Sequence, residues 1–314
     1  MFNLFKYIYT LLTTKNPNLY FRKWLFIISI FALSIVICKR FIEPSIQTPE
    51  GFTQLEPFVL KQNENVYDTF YSEMYDTLHD TKTRIQPELI SIIKMTEPSP
   101  NHSVFLDVGS GTGNMVKELV DAGFDAYGLE KSADMISCTN KQFPNLEIVH
   151  SDVLDAMTFE KSTFTHILCT YFTIYHIENK TKFFRNCYYW MKPNGYLILH
   201  LVHPEQFKQL IPYPNTEITS KTTANKRVLT NRAVFDDYKY NSCCEMNTND
   251  NKCSLTETFV DKKTNHIRQN DQTLYMDSIM NIVNIANNNG FMLKGKSTIN
   301  GDKYQFLYIL ERQM

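Results

Sequence analysis

Two repeating patterns of apolar residues alternate along the central part of the chain. Short runs of β-branched and apolar residues predict buried strands, whereas apolar residues that recur every three to four positions predict helices. Alternation of strand and helix is typical of a parallel α/β sheet, with ligand sites at the carboxyl ends of the strands. The predicted strands are residues 104–108, 124–130, 146–150, 164–169 and 195–202, and residues 132–142 and 180–191 are predicted helices.

The chain after residue 202 leaves this alternation. Short β-like runs separated by turn-rich segments predict an antiparallel β insertion over about residues 205–270. An insertion at this point would lie over the carboxyl edge of the sheet as a substrate lid, although a packing or dimerisation hairpin has the same pattern. The β-like runs are residues 228–230, 234–240, 255–260 and 266–268.

The C-terminal part predicts a helix followed by a hairpin. Apolar residues recur at helical spacing over residues 277–288, and Asn289-Gly290 follows as a C-cap. Residues 291–297 and 304–310 then read as two strands, which Asn300-Gly301 connects.

An uncharged apolar run lies near the N-terminus, at residues 24–38, with two basic residues on each side. Fifteen helical residues cover about 22 Å of a hydrocarbon core roughly 30 Å thick, and the flanking apolar and basic residues extend that reach. A buried helix of a soluble domain is the alternative. We predict an N-terminal segment (1–23), a single transmembrane anchor (24–42), a linker (43–65) and a globular domain (66–314).

Composition excludes several classes of protein. With 43% hydrophobic and 21% charged residues, the chain can bury a core. Its 32 basic and 33 acidic residues give a net charge of -1, so no global field attracts nucleic acid, and we expect no nucleic-acid partner.

The seven cysteines suggest reduced core thiols, and the spacing of Cys243, Cys244 and Cys253 does not match a zinc site, so no metal is expected.

A glycine-rich turn follows the first predicted strand. Gly109, Gly111 and Gly113 are spaced Gly-x-Gly-x-Gly, which differs from the Gly-x-Gly-x-x-Gly of dinucleotide folds. Such a turn lets a ligand approach the main chain, and the helix N-terminus behind it favours an anionic group. Glu130 ends the second strand, 17 positions after Gly113, where a carboxylate can accept both hydroxyls of a ribose. A purely structural turn is the alternative.

Four motifs in this order resemble those of the class I S-adenosylmethionine-dependent methyltransferases. They are LDVGSGTG (106–113), Glu130, SDV (151–153) and KPNGYLIL (192–199). The resemblance covers residues 103–202 and implies a Rossmann-like seven-stranded sheet, parallel with an antiparallel closing hairpin and with helices on both faces. It also implies S-adenosyl-L-methionine as the cofactor.

The resemblance implies a role for particular residues. The turn and the strand before it would hold the methionine part of the cofactor, Glu130 the ribose, and Asp152 with Val153 the adenine. Tyr71, in the Tyr-rich segment 66–76, would cover the cofactor, although a plain amphipathic helix is an equal alternative. Thr165-His166 departs from the family, which usually has an Asp at the start of the fourth strand. The expected methionine-binding residues are Asp107, Gly109, Ser110, Gly111 and Gly113.

The segment after the fourth strand carries the candidate acceptor-side residues, namely Tyr171, Tyr175 and His176. A structural role is as good an interpretation for each. We expect a membrane-anchored S-adenosylmethionine-dependent methyltransferase that acts on a small-molecule, lipid-like or protein side-chain acceptor by in-line displacement. A catalytically inactive membrane-tethered binding or scaffold protein of the same fold is the alternative.

The cellular location follows from the cofactor and the cysteines. S-adenosylmethionine is made in the cytosol and no disulfide framework is expected, so we place the domain of this single-pass protein on the cytosolic side. The basic residues before the apolar run slightly outnumber those after it, which favours the opposite orientation. Asn101 and Asn179 begin glycosylation sequons that would report a lumenal domain. The sequence does not indicate the oligomeric state.

Overall fold

The computed structural model describes residues 56–206, 216–223, 226–247, 250–299 and 302–314, together with isolated positions before residue 35. The chain divides into two compact units, Met1–Gly51 and Phe52–Met314, and the elements below belong to the second. Apart from a few positions, the predicted anchor at 24–42 lies outside the described residues. Within the described part of the chain, no helix is long and apolar enough to cross a membrane.

The main sheet has seven strands in the order β12-β13-β6-β5-β2-β3-β4, and β13 runs antiparallel to both of its neighbours. This sheet confirms the predicted Rossmann-like architecture with its closing hairpin. Its strands are β2 (Val104–Val108), β3 (Asp125–Glu130), β4 (Glu147–His150), β5 (Phe164–Cys169), β6 (Met191–Val202), β12 (Phe291–Ile299) and β13 (Asp302–Arg312).

Helices cover both faces of this sheet. One face packs apolar residues against α2 and α3, and the other packs against α6 and α7, so β2 is buried along nearly its whole length. Burial on both faces explains why the central strands read as continuous apolar runs. The helices are α1 (Thr69–Leu78), α2 (Thr81–Thr96), α3 (Asn114–Asp121), α4 (Ala133–Gln142), α5 (Thr173–His176), α6 (Lys180–Trp190) and α7 (Ile279–Asn288).

Five strands of the insertion and β1, which precedes the main sheet in sequence, form a second, six-stranded sheet in the order β1-β11-β10-β9-β8-β7. It is antiparallel except for the parallel pair β1 and β11. Alternate residues of its strands are buried, as a sheet with one packed face requires. Its strands are β1 (Phe58–Gln62), β7 (Glu217–Thr222), β8 (Lys226–Val234), β9 (Tyr238–Asn247), β10 (Lys252–Asp261) and β11 (Ile267–Tyr275).

Two predictions about this second sheet need correction. Residues 234–240 were predicted as one strand, but the N–H of Phe235 donates to the carbonyl of Tyr238 at 2.9 Å and forms the turn between β8 and β9. The predicted linker at 43–65 also contains β1, in which Phe58 pairs with Ile267 of the insertion. A partner more than 200 positions away gives no local signal, so the strand resembled a tether.

The expectation of reduced cysteines is wrong for one pair. Cys244 and Cys253 form a disulfide between β9 and β10, with their Cα atoms 6.1 Å apart. Cys244 pairs in register with Leu255, and Cys253 with Met246, so the two cysteines are diagonal neighbours on the buried face. Cys138, Cys169 and Cys187 are free and buried, as core thiols are expected to be.

Thr165 and His166 stand where the family usually has an aspartate. Thr165 Oγ1 accepts a hydrogen bond from the Val104 N–H at 2.8 Å and lies 2.8 Å from Nδ1 of His166. The His166 ring stacks on Phe105 with ring centroids 4.4 Å apart. The start of β5 is therefore held to β2 without a carboxylate.

Candidate cofactor and acceptor site

Two adjoining cavities lie at the carboxyl ends of β2, β3 and β5. The larger has a volume of about 1200 Å³ and the smaller of about 40 Å³. This is the edge at which ligands bind in open α/β sheets. A ligand that extends from one cavity into the other would pass the residues that line both, which are Tyr75, Gly109, Gly111, Tyr171 and Thr173.

The glycine turn after β2 depends on the absence of a side chain. Gly109 has φ +68°, and a Cβ added there would lie 2.7 Å from Cγ2 of Thr173. The N–H groups of Gly109 and Ser110 both donate to the carbonyl of Leu129, at 2.8 and 3.2 Å, which fixes the turn against the end of β3. The main chain can therefore approach a ligand closely at this point.

Three backbone groups hold the carboxylate of Glu130. It accepts hydrogen bonds from the N–H groups of Gly111 at 2.9 Å, Lys131 at 2.9 Å and Ser132 at 2.8 Å. Burial raises the pKa of Glu130 above its ordinary value, while these hydrogen bonds oppose the rise. Glu130 lines the large cavity, as expected for a group that binds ribose hydroxyls.

The small cavity holds a buried acid and a buried cation. Burial raises the pKa of Asp107 to about 7, although the nearby Arg84 lowers it. Arg84 Nη1 pairs with Glu88 at 3.1 Å. Among the described residues, the buried Arg84 Nε and Ser110 Oγ have no hydrogen-bond partner, so a carboxylate in this cavity would satisfy both. Arg84 was not among the predicted residues, because no motif marks it in α2.

Asp152 and Val153 do not line either cavity. Partial burial raises the pKa of Asp152, but the hydrogen bond from Leu154 N–H and the Lys131 ammonium bring it below its ordinary value. Lys131 Nζ lies 3.0 Å from Asp152 and 2.5 Å from Glu64. The structure thus places Asp152 outside both cavities, in an ion pair with Lys131, which lines the larger one.

Tyr71 lies away from the cavities, so the structure does not support its predicted contact with the cofactor. Its hydroxyl donates to Oε1 of Glu257 in β10 at 3.0 Å. Tyr67 and Tyr75, from the same Tyr-rich segment, line the large cavity instead. Gly113 is also outside the cavities. Its φ of +78° and the 2.5 Å contact that a Cβ would make with Thr139 both require glycine there.

Of the three predicted acceptor-side residues, two line the large cavity and one does not. Tyr171 and His176 contribute to its wall. Tyr175 is fully buried, and its hydroxyl accepts from the Val202 N–H at 2.9 Å and lies 3.3 Å from the Val202 carbonyl. Tyr175 therefore holds the end of β6 and is corrected to a structural residue.

His176 is an exposed residue that lines the large cavity. Loss of hydration lowers its pKa below the ordinary value, so the imidazole is neutral near pH 7. Its ring also meets that of Tyr67 edge-on, with centroids 6.2 Å apart. The β11 residues Gln272, Thr273 and Tyr275 complete this wall, and they were not predicted because β11 has no chemical motif.

Residues 106–199 match the family described as a methyltransferase domain. The matched segment runs from the strand before the glycine turn to the middle of β6, and contains Asp107, Glu130 and Asp152. The match identifies residues 106–199 as a class I S-adenosylmethionine-dependent methyltransferase domain.

Two curated methyltransferases are similar to part of the chain. A dTDP-3-amino-3,6-dideoxy-alpha-D-glucopyranose N,N-dimethyltransferase of Streptomyces fradiae is 28% identical over 120 residues, which are 37% of this chain and 46% of that protein. A phosphoethanolamine N-methyltransferase of Plasmodium falciparum is 26% identical over 169 residues, which are 51% of this chain and 55% of that protein. The chain thus spans about half the length of the curated relatives it matches.

A solved methyltransferase structure has the same fold. The S-adenosylmethionine-dependent methyltransferase of Clostridium acetobutylicum aligns with a TM-score of 0.59 at 13% identity, over 78% of this chain and 98% of that one. The alignment covers more of the chain than the matched domain does, so the similarity in fold extends beyond residues 106–199.

S-adenosylmethionine, the cofactor of this methyltransferase family, fits the two cavities. Its carboxylate matches the unpaired Arg84 Nε and Ser110 Oγ of the small cavity. Its ribose hydroxyls match the carboxylate of Glu130 in the large one. When bound, the cofactor supplies an activated methyl group on a sulfonium, and these residues would hold and orient it.

Proposed function

We propose that the chain transfers a methyl group from S-adenosylmethionine to a small-molecule acceptor bound in the large cavity. The observation that carries this proposal is the convergence of the glycine turn and Glu130 with Tyr171 and His176 on one cleft. Single-ligand pockets are typically about 300–1,000 Å³. A cavity of about 1200 Å³ therefore has room for a cofactor and a small acceptor together.

Methyl transfer of this kind forms a bond from the methyl carbon to the acceptor atom and breaks the carbon–sulfur bond. The electron pair returns to sulfur, and an N–H or O–H acceptor loses its proton to water. The protein contributes alignment and exclusion of water more than acid–base chemistry. A neutral His176 and the tyrosines of the wall suit this task, because they place no fixed charge beside the acceptor.

An amine is the acceptor class of the two relatives described above, whereas a third relative is a malonyl-[acyl-carrier protein] O-methyltransferase of Halalkalibacterium halodurans. The Streptomyces fradiae protein is named for an amino sugar and the Plasmodium falciparum protein for phosphoethanolamine, and both are N-methyltransferases. In addition, Tyr67, Tyr75, Tyr171 and Tyr275 line the cavity. Aromatic rings attract an ammonium group through cation–π interactions, so these side chains suit an amine.

Calorimetry with S-adenosylmethionine and its demethylated product tests cofactor binding. Mass spectrometry of a cell extract incubated with the chain and methyl-labelled cofactor then identifies the acceptor, with the Glu130→Ala variant as control. Binding without transfer of label to any extract component would favour the inactive binding or scaffold protein. Absence of binding would refute both functions.

We also propose that residues 24–42 anchor the chain in a membrane with the catalytic domain on the cytosolic side, where S-adenosylmethionine is made, although the Cys244–Cys253 disulfide favours the opposite side. The uncharged run at 24–38 between basic pairs supports the anchor. Recovery of the full-length chain in a carbonate-washed supernatant would contradict it. A glycosidase-sensitive mass shift from Asn101 or Asn179 in eukaryotic cells would show a lumenal domain.

A further inference from the structure

A row of buried polar side chains leads from the large cavity into the insertion sheet. The Tyr171 hydroxyl lies 2.8 Å from Nδ1 of His79, and Nε2 of His79 lies 3.4 Å from the Tyr71 hydroxyl. Tyr71 in turn donates to Oε1 of Glu257 at 3.0 Å. Four residues, from α1 and its C-cap, from β10 and from the segment after β5, thus form one continuous polar connection, of which only Tyr171 lines the cavity.

Glu257 sets the direction of these hydrogen bonds. The Tyr240 hydroxyl also donates to Oε1 of Glu257, at 2.6 Å, and Glu257 is fully buried. Because this oxygen accepts from two hydroxyls, the Tyr71 proton points toward Glu257. The Tyr71 oxygen is then left to accept a hydrogen bond from His79.

A neutral imidazole has one nitrogen that donates and one that accepts. If Nε2 of His79 donates to Tyr71, then Nδ1 accepts from the Tyr171 hydroxyl. Burial lowers the pKa of His79 to about 3, and the nearby Arg84 and His176 act in the same direction, so the neutral form dominates near pH 7. The Tyr171 proton is therefore directed to His79, which leaves a lone pair on the hydroxyl oxygen of a side chain that lines the cavity.

The position of Tyr171 is itself tightly determined. Its backbone is left-handed, with φ 44°, and the Arg84 guanidinium lies 3.7 Å from the centre of its ring. A non-glycine residue keeps such a conformation only where its surroundings impose it, and such residues cluster at active sites. Tyr171 also lines both cavities, where a cofactor and an acceptor would meet.

We propose that Glu257, acting through Tyr71 and His79, makes Tyr171 a hydrogen-bond acceptor toward the methyl acceptor. The acceptor must then offer an N–H or O–H group, which selects an amine or a hydroxyl and disfavours a carboxylate. A carboxylate would place its own lone pairs against that of Tyr171. This inference rests on the proposed methyl transfer, and within it Glu257, Tyr71 and His79 are positioning residues.

The position of the His79 proton tests the arrangement without any acceptor. The full-length chain carries eight histidines, and ¹⁵N labelling of them, with His79→Asn for assignment, shows which ring nitrogen is protonated. We expect the proton on Nε2 and a bare Nδ1. A proton on Nδ1, or on both nitrogens, near pH 7 would overturn the inference.

Tyr71→Phe and Tyr240→Phe form a matched pair, because each removes one hydroxyl donor from the same oxygen of Glu257. Only Tyr71 also contacts His79. We expect Tyr71→Phe to shift the His79 proton between its nitrogens and Tyr240→Phe to leave it in place. Equal effects of the two variants would show that Glu257 does not act through Tyr71. If Tyr71→Phe does not fold, the position of the His79 proton in the unmodified chain still tests the inference.

A panel of small amines, alcohols and carboxylates of matched carbon skeleton, with methyl-labelled cofactor, tests the selectivity. We expect N- or O-methyl products, whose rate of formation Tyr171→Phe lowers about tenfold, as the loss of one hydrogen bond would. Cofactor affinity should stay within about twofold. Methyl ester formation from a carboxylate would refute the inference. A chain that binds no cofactor would refute the proposed function, while the histidine measurement would still decide the arrangement.

Discussion

The Oε2 atom of Glu130 accepts a hydrogen bond from the Gly111 N–H at 2.9 Å, which joins the end of β3 directly to the glycine turn after β2. The two motifs are 19 positions apart in sequence, yet one carboxylate and one backbone group bring them to the same cavity wall. A change at Glu130 should therefore loosen the glycine turn as well as weaken cofactor binding.

Glu130→Ala should weaken binding of S-adenosylmethionine by about 1–3 kcal/mol, because it removes charge-assisted hydrogen bonds to the ribose. Isothermal titration calorimetry measures the effect. Glu147→Ala, at the exposed amino-terminal start of β4, is a matched control that should leave the affinity unchanged. Equal losses in the two variants would contradict the assignment of Glu130.

Gly109→Ala should destabilise the protein more than Gly123→Ala. Both glycines have positive φ, +68° and +87°, but an added Cβ meets Thr173 at 2.7 Å in the first and nothing within 4 Å in the second. The control should lose about 1–2 kcal/mol of unfolding free energy from backbone strain alone. Chemical denaturation measures the difference, and adding Thr173→Ala to Gly109→Ala should recover part of it. No recovery would show that the contact with Thr173 is not the cause.

Tyr175→Phe and His176→Ala should separate stability from activity. Tyr175→Phe leaves the buried Val202 N–H without its partner and should cost about 1–3 kcal/mol of unfolding free energy, with little effect on turnover. His176→Ala removes a side chain of the cavity wall and should lower methyl transfer with little loss of stability. Thermal unfolding measures the stability of the two variants, and transfer of labelled methyl groups measures their activity. Loss of activity in Tyr175→Phe without loss of stability would place Tyr175 at the acceptor.

Asp107→Asn should change how stability depends on pH. Burial raises the folded-state pKa of Asp107 to about 7 from an ordinary value of 3.8, so ionising it costs the folded state free energy as pH rises. The stability of the variant relative to the unmodified chain should increase between about pH 4 and 7 and level off above. The slope is at most about 1.4 kcal/mol per pH unit. Parallel denaturation curves across this range would contradict the raised pKa.

Much of the fold and part of the site were predictable because their signals are local. Each signal lies within about 30 residues of the sequence: the alternation of strands and helices, the glycine spacing, and the carboxylate at a strand end. Parallel strands bring their carboxyl ends to one edge, and Gly109, Gly111, Glu130 and Tyr171 all line the large cavity there. The closing hairpin β12–β13 was predictable for the same reason.

Other features depended on partners that are distant in sequence. The same aromatic segment carries Tyr71 and Tyr75, and nothing local distinguishes them, but Tyr71 turns to Glu257, 186 positions away, and Tyr75 turns to the cavity. Strand β1 and the Cys244–Cys253 pair likewise exist only once the insertion sheet has formed. The sequence alone determined which backbone elements meet at the ligand-binding edge, because hydrophobic periodicity specifies elements. The tertiary structure decided which side chains face the cavity, because that choice follows from the hydrogen-bond partners and packing space that only the assembled sheets provide.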